Sequence, residues 1–547
     1  MMNEPENTSR CQGCLRCFSF LPVHFTREIV NLCSLALPVF LSYLFDYLII
    51  FVSTVFCGHL GKVELDGVAL ATAVISVMGI GIGYGLSAAC DTLISQAFGA
   101  GNLHLVGVIT QKAILILLLA CLPCCAFLIN TESILLLVGQ SPEVARVSQL
   151  YVNIFLPGLP AAFVFIIEAK YLQNQGIIWP LVITGVVANL LNALINYIFL
   201  FVLDMGVPGS AAANTISQYS LAIILFIYIR CTGLHKHTWP GWSMDCLQEW
   251  DSFIQLAIPS MLMMCAEWWT YEIGGLLSGL ISEVELGAQS VVYGLANIAY
   301  MFPIGFSVAG NVRVGNAMGA GDVAQAKLSA KLSIICAVSV AVVLATVFGS
   351  SRNVIAYIFT NDKVIWGENM NYYFFLQTNQ AASGSIVKGL AKQKIGAVCN
   401  LVGYYAVGFP IGISLMFAAK WGIFGLWTGL LISVFLQSVF LIVLLFKLNW
   451  NKASEEVRNI EFPSIKSMLI RVIFLTGAQE DGGYIEGCDA NNATDMDGLV
   501  NEETEVLVAT VRVQLPLSVL VLRRGLALAT MLVLLAAGLS VKFFLKK

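Results

Sequence analysis

Charge is scarce in this sequence. Only 11% of its residues are Asp, Glu, Lys or Arg, against about a quarter in soluble domains. Histidine is scarcer still, five in 547 residues, and none sits within an apolar run beside a partner. There is no credible nucleophile–base pair and no Gly-rich phosphate loop, which argues against an enzyme and against ATP-driven pumping. A formal net charge of −4 offers no basic surface for nucleic acid. Residues 1–20 are polar and lack a separate apolar core, so no cleavable signal is expected and the first span serves for insertion.

What the chain has instead is apolar length. It is 58% hydrophobic, in runs of twenty or more residues. Each run can cross a bilayer core of about 30 Å, and in lipid such a run must be helical to satisfy its own backbone. The expected fold is an all-α polytopic membrane protein. Expected spans are Ile29–Phe56, Leu65–Cys90, Leu105–Leu128, Tyr151–Tyr171, Ile178–Leu203 and Val207–Ile229, then Phe253–Leu280, Leu286–Gly310, Leu328–Phe348, Ile395–Phe417 and Ile423–Phe446. Leu526–Leu545 is a further, terminal span.

The spans read as two copies of one bundle. Ala36-Leu37-Pro38 returns as Ala257-Ile258-Pro259, an offset of 221 (259 − 38). Val63-Glu64-Leu65 returns as Val284-Glu285-Leu286 at the same offset. Ala97-Phe98-Gly99-Ala100-Gly101-Asn102 returns as Ala317-Met318-Gly319-Ala320-Gly321-Asp322, at 220 (317 − 97). Duplicated bundles are a common plan of alternating-access transporters. Gly206-x-x-Gly209 matches Gly422-x-x-Gly425 at only 216 (422 − 206), so about five residues are missing from the second copy after Asp322. The repeat demands a tenth helix near Val364–Leu390, yet that stretch holds Glu368-Asn369-Met370-Asn371 and Gln377-Thr378-Asn379-Gln380, a poor membrane segment.

The expected organisation is a cytoplasmic tail (1–28), a first six-helix lobe (29–231), a linker (232–252), a second lobe with an atypical tenth helix (253–446), an acidic loop (447–517) and a thirteenth transmembrane helix (518–547). Basic residues including Arg27, Arg230, Lys236, Arg313, Lys388, Lys392 and Lys394 gather on one side, which the positive-inside rule makes cytoplasmic. The amino terminus is then inside and the carboxy terminus outside. The loop is dense in acids from Glu480 to Glu505 and reads as disordered. Asp495-x-Asp497-Gly498 lacks the remaining spacing of a calcium loop, and Asn492-Ala493-Thr494 lies on the wrong side for glycosylation. Cys121, Cys124 and Cys125 read as small buried hydrophobes. Cys11, Cys14 and Cys17 lack a further ligand for zinc; acylation and an inert tail remain open. No metal and no cofactor is expected.

Ionisable groups inside spans are functional candidates by default. Glu267 lies near the middle of the seventh span, followed by Trp268, Trp269, Tyr271 and Glu272. Five residues turn a helix by roughly 140°, so Glu267 and Glu272 do not share a face, whereas Trp268 and Trp269 share one with Glu272. A carboxyl in an apolar cavity can carry a proton under cellular conditions, and aromatic faces beside a carboxylate suit an organic cation. One site accepting either is the minimum device for exchange; helix-packing hydrogen bonds are the alternative use. Asp46, near Tyr43 and Tyr47, is a second proton-site candidate. Asp91 and Glu168 sit toward helix ends, where snorkelling or capping accounts for them. Gly79, Gly81, Gly83 and Gly85 alternate within the second span and read as close packing or a bend.

The run Val55-Phe56-Cys57-Gly58-His59-Leu60-Gly61, with Glu267-Trp268-Trp269, Val312-Arg313-Val314-Gly315-Asn316-Ala317 and Gln393-Lys394-Ile395-Gly396-Ala397, resembles the vertebrate type of the multidrug and toxin extrusion (MATE) family. The likeness spans roughly Ile29 to Trp450 and extends to Val521-Leu522-Arg523-Arg524-Gly525. It implies two six-helix lobes opening in a V, and electroneutral exchange of protons for small organic cations across the plasma membrane by a monomer in contact with lipid. It implies that Glu267 and Glu272 are family acids and that Cys57 and Tyr293 lie near the cavity. Departures are plain: Gly294 replaces a carboxylate, the tenth helix lacks its histidine and acid, and Tyr43 and Ser76 stand where relatives have Gln and Asn. A non-transporting or substrate-shifted paralogue with a defective tenth helix is the competing expectation. A lipid flippase is a third, disfavoured by Glu267 beside two tryptophans.

Overall fold

The computed structural model describes residues 23–279, 281, 283–359, 368–461 and 516–545. The cysteine run Cys11/Cys14/Cys17 and the acid-rich segment with Asn492, Asp495 and Asp497 lie outside the described residues. Every long element is a helix, and the chain is an all-α polytopic membrane protein. The first six are α1 (Val23–Gly58), α2 (Lys62–Gly99), α3 (Leu103–Leu128), α4 (Pro142–Phe155 and Gly158–Asn174, bent by 59°), α5 (Trp179–Val202) and α6 (Val207–Cys231). The second six are α7 (Trp250–Gly279), α8 (Glu283–Gly319), α9 (Val323–Phe359), α10 (Glu368–Gly389), α11 (Gln393–Ala418) and α12 (Ile423–Lys447). Then comes α13 (Leu517–Leu545). Among the described residues nine helices are long and apolar enough to cross a membrane, ten if the bent α4 counts as one span.

The duplication is visible in the packing. In the first half α1 packs on α5, α2 on α3 and α4, and α6 on α4 and α5. In the second, α7 packs on α11, α8 on α9 and α10, and α12 on α10 and α11. Between the halves α2 meets α7, and its counterpart α8 meets α1. The backbone explains why the motifs recur. Gly206 and Gly422 hold φ 62° and 57° just before α6 and α12, and Gly101 and Gly321 hold 75° and 76° just before α3 and α9. These are left-handed conformations that a Cβ strains, so glycine returns at each copy of the turn. The residue after each of the second pair caps the next helix: Asn102 Oδ1 accepts from Leu105 N at 3.1 Å, and Asp322 Oδ1 from Gln325 N at 2.9 Å.

Glycine also sets how closely the halves approach. A Cβ on Gly99 would fall 2.0 Å from the Asn316 carbonyl oxygen, and one on Gly319 would fall 2.0 Å from that of Gln96. Further along the same interface, a Cβ on Gly85 would strike the Met261 backbone at 2.6 Å and one on Gly305 the Ala36 carbonyl at 2.5 Å. Gly99 and Gly319 exchange with their partners Gln96 and Asn316 at the offset of 220, so the two halves meet there across a pseudo-twofold axis. In hydrocarbon, where apolar surface is no reason for helices to associate, such backbone contact is the main source of packing energy.

The tenth helix is present, as Glu368–Gly389. Its polar run, which marks it as a poor span in the sequence, faces protein. Gln377, Thr378, Asn379 and Gln380 are all buried; Gln377 Nε2 donates to Tyr271 Oη at 2.5 Å and Gln380 Nε2 to Asn400 Oδ1 at 3.2 Å. Its last turn is pinned to α2, where Thr92 Oγ1 donates to the Lys388 carbonyl at 2.8 Å and Gln96 Nε2 to that of Gly389 at 2.9 Å. Outside the bundle, α13 lies mostly exposed, docked on α3 through Asn130 Nδ2 to the Gly538 carbonyl at 2.9 Å.

Replacing Gly99 or Gly319 by alanine is expected to cost about 1–3 kcal/mol of overpacking, read as a lowered unfolding midpoint of the purified protein. Gly525→Ala, where an added Cβ meets nothing within 4 Å, should leave that midpoint unchanged or higher.

Candidate functional site

The second span's alternating glycines place the site. A Cβ on Gly81 would meet the Trp268 ring at 3.2 Å, one on Gly83 the Phe163 ring at 2.5 Å, and one on Gly85 the backbone of Met261. Without side chains there, α2 lies directly against α7, and Trp268 packs over the bare backbone of Gly81. A π-helical turn at Ser76–Ile80 precedes this stretch and shifts the register of the faces that follow. Trp268 then sits 6.3 Å from the Tyr84 ring, inclined at 51°. Tyr84 Oη in turn donates to Asp46 Oδ2 at 2.8 Å. Thus α1, α2 and α7 are joined by the series Asp46–Tyr84–Trp268, with Glu267 beside it.

Glu267 is partly buried on α7, and its Oε1 has no hydrogen-bond partner among the described residues. Tyr300 of α8 and Gln377 of α10 stand beside the carboxyl, and the Lys388 ammonium acts on it through space. A buried acceptor without a donor is costly in an apolar setting. A proton or a cationic ligand on that oxygen removes the cost. Glu272 is half-buried further along α7.

The remaining candidates scatter. Tyr271 is buried in the second half, 6.2 Å from the Trp427 ring and bonded to Gln377. Trp269 is 37% exposed. Cys57 is fully buried within the first half, in its core and not at the interface between halves. Tyr293 falls on α8, with its side chain outside the described residues. Gly294 faces open space, since an added Cβ would meet nothing within 4 Å among the described residues. So the structure groups Asp46, Trp268 and Glu267 at the meeting of the halves and sets Tyr271 and Cys57 into separate cores.

Asp91 needs a correction. It is no snorkelling or capping residue but half of a buried ion pair, Lys170 Nζ to Asp91 Oδ2 at 2.9 Å, with Asn174 Nδ2 on Oδ1 at 3.2 Å. Glu168 likewise turns inward, and its buried Oε2 has no partner among the described residues. Lys170 went unnoticed because it stands one residue from the expected end of its span. A small void of about 20 Å³, room for about one water, is lined by Tyr43, Asp46, Tyr84, Lys170 and Gln173. It connects the Asp46 and Lys170 side chains. Lys388, counted by sequence among the loop bases, is half-buried within electrostatic reach of Asp91 and Glu267.

Comparison with known proteins agrees in extent. The model of the MatE family matches residues 38–198 and 259–413, one match in each half. The chain is 56% identical over 559 residues to multidrug and toxin extrusion protein 1 of Danio rerio, covering 97% of this chain and 92% of that protein. Against multidrug and toxin extrusion protein 1 of Homo sapiens the identity is 46%, over 99% of this chain and 97% of the other. Among solved structures, the eukaryotic MATE transporter AtDTX14 aligns with a TM-score of 0.77 at 27% identity, covering 80% of this chain and 100% of that one.

Removing the carboxylate from the buried pair by Asp91→Asn leaves Lys170 unpaired and is expected to destabilise the protein by about 3–5 kcal/mol. The double change with Lys170→Met should recover most of the loss, measured by thermal unfolding in detergent.

Proposed function

This chain belongs to the multidrug and toxin extrusion (MATE) family of membrane transporters, and from that premise we propose that it moves small organic cations outward in exchange for protons by alternating access. It is a transporter and not an enzyme. The observation that carries the exchange reading is Glu267: a carboxylate whose buried Oε1 has no partner among the described residues, next to Trp268, where the two repeats meet. A proton satisfies Oε1 in one half of the cycle. An organic cation satisfies it in the other, its charge on the carboxylate and its apolar body against the indole face. Because either ligand neutralises the same group, each favours the other's departure, which is the requirement of coupled exchange. Asp46, bonded to Tyr84 and facing the small void, serves as a second proton site on the first repeat. Glu272 and Tyr293 of the second repeat are the further groups proposed to meet the substrate, whereas Tyr271 and Cys57 pack in separate cores.

The working arrangement is a monomer in the plasma membrane, its amino terminus cytoplasmic and its carboxy terminus extracellular, with residues 29–231 and 253–446 as the two moving lobes. Gly294 favours a shifted substrate range over a lost activity. A glycine in place of the carboxylate removes a charge and suits a bulkier or less strongly charged cation, while α10 remains folded and docked on α2. The missing acid removes a contact of about 1.5–3 kcal/mol, or one to two decades of affinity for a small hard cation.

Two outcomes test the reading in cells expressing the chain. Raising the external pH should accelerate tetraethylammonium uptake, and Glu267→Gln, confirmed at the cell surface, should abolish that acceleration. Gly294→Glu should lower the KM for tetraethylammonium by roughly tenfold; an unchanged KM would show that this position does not face the substrate.

A further inference from the structure

Away from the site, at the end of the bundle that carries Gly99 and Gly319, a second carboxylate is fully enclosed by the opposite repeat. Glu28, on the first turns of α1, is 3% exposed. Arg313 of α8 donates through Nε to its Oε1 at 2.9 Å and through Nη2 to its Oε2 at 2.5 Å. Gln325 Nε2 donates to Oε2 at 2.8 Å and Ser329 Oγ to Oε1 at 2.7 Å, both from α9. One side chain of the first repeat therefore takes four hydrogen bonds from two helices of the second. Arg313 is bound in fork geometry and yet 28% exposed, because a cavity of about 490 Å³ lined by Arg27, Glu28, Asn31, Arg313, Asp322 and Gln325 lies beside the pair.

The glycine contacts are van der Waals contacts that fade steeply once the backbones part. The bidentate pair adds charge-assisted hydrogen bonds that must be exchanged for water before the halves separate, and the cavity beside them gives that water access. We propose that Glu28 is a latch: its bonds to Arg313, Gln325 and Ser329 set how often the two repeats separate at the Gly99/Gly319 end, and so position the lobes for the cycle without touching substrate. This rests on the alternating-access reading above, in which that end is cytoplasmic and must open once per turnover.

The test reads opening directly and needs no substrate. Ser95 is fully buried at the same interface, where a Cβ on Gly315 would fall 2.0 Å from its hydroxyl, and Ser95→Cys is nearly isosteric. In a background whose other reactive cysteines are replaced, its labelling by a hydrophilic maleimide is timed in permeabilised cells. Glu28→Gln and Arg313→Gln should each raise the labelling rate roughly tenfold or more, and the double change should do no more than either alone. Arg313→Lys, which keeps the charge and loses the fork, should raise the rate by roughly threefold or more, short of Arg313→Gln; it decides the matter if the neutral variants do not reach the membrane. The KM for tetraethylammonium should stay within about twofold of the parent while the maximal rate changes. Labelling within about twofold of the parent in Glu28→Gln, or in Arg313→Lys, overturns the latch. Labelling that responds while no variant or parent transports would keep the latch and overturn the transport reading instead.

Discussion

The structure depends on how closely two helical repeats can bring their backbones together. At Gly99 and Gly319, and again at Gly85 and Gly305, the opposing chain lies where a Cβ would be. In lipid no hydrophobic force draws the halves together, so this contact and the hydrogen bonds beside it hold them. The same glycines that permit the approach also bring Trp268 onto the bare backbone of α2. Binding chemistry and lobe packing therefore share one interface, and a change in one is felt in the other.

The proposed exchange uses that coupling. Glu267 Oε1 has no hydrogen-bond partner among the described residues, while Glu28 accepts four hydrogen bonds at the end of the bundle. Between them lie Asp91, Lys170 and Lys388, a buried group of charges whose members belong to α2, α4 and α10. Lys388, whose carbonyl accepts from Thr92 of α2, lies within electrostatic reach of both Asp91 and Glu267.

Much of this was legible in the sequence, and the failures have physical causes. The repeat was readable because its signals are backbone requirements: left-handed glycines before α3, α6, α9 and α12, and an Asn or Asp cap after two of them. The class followed from the apolar runs, and Glu267 stands out as a candidate from the cost of a carboxylate in lipid. The tenth helix reads as a poor membrane segment and is not among the described helices apolar enough to cross a membrane, yet it is folded. Hydropathy does not tell that part of its polar run faces protein. Gln377 and Gln380 face Tyr271 and Asn400, not lipid. Asp91 was assigned to a helix end because its partner Lys170 is 79 residues away and only the fold brings them together. Cys57 belongs to a conspicuous motif, yet it is the buried member of that run and packs in the core of the first half.

The central claim is that one buried carboxylate accepts proton and cation in turn, and it is tested most directly with purified protein in liposomes carrying a pH-sensitive dye inside. Adding tetraethylammonium outside should drive protons out of the lumen in step with cation entry, with no membrane potential required, and Glu267→Gln should abolish both fluxes together. Cation entry without proton exit, or proton exit that survives the substitution, would contradict the account.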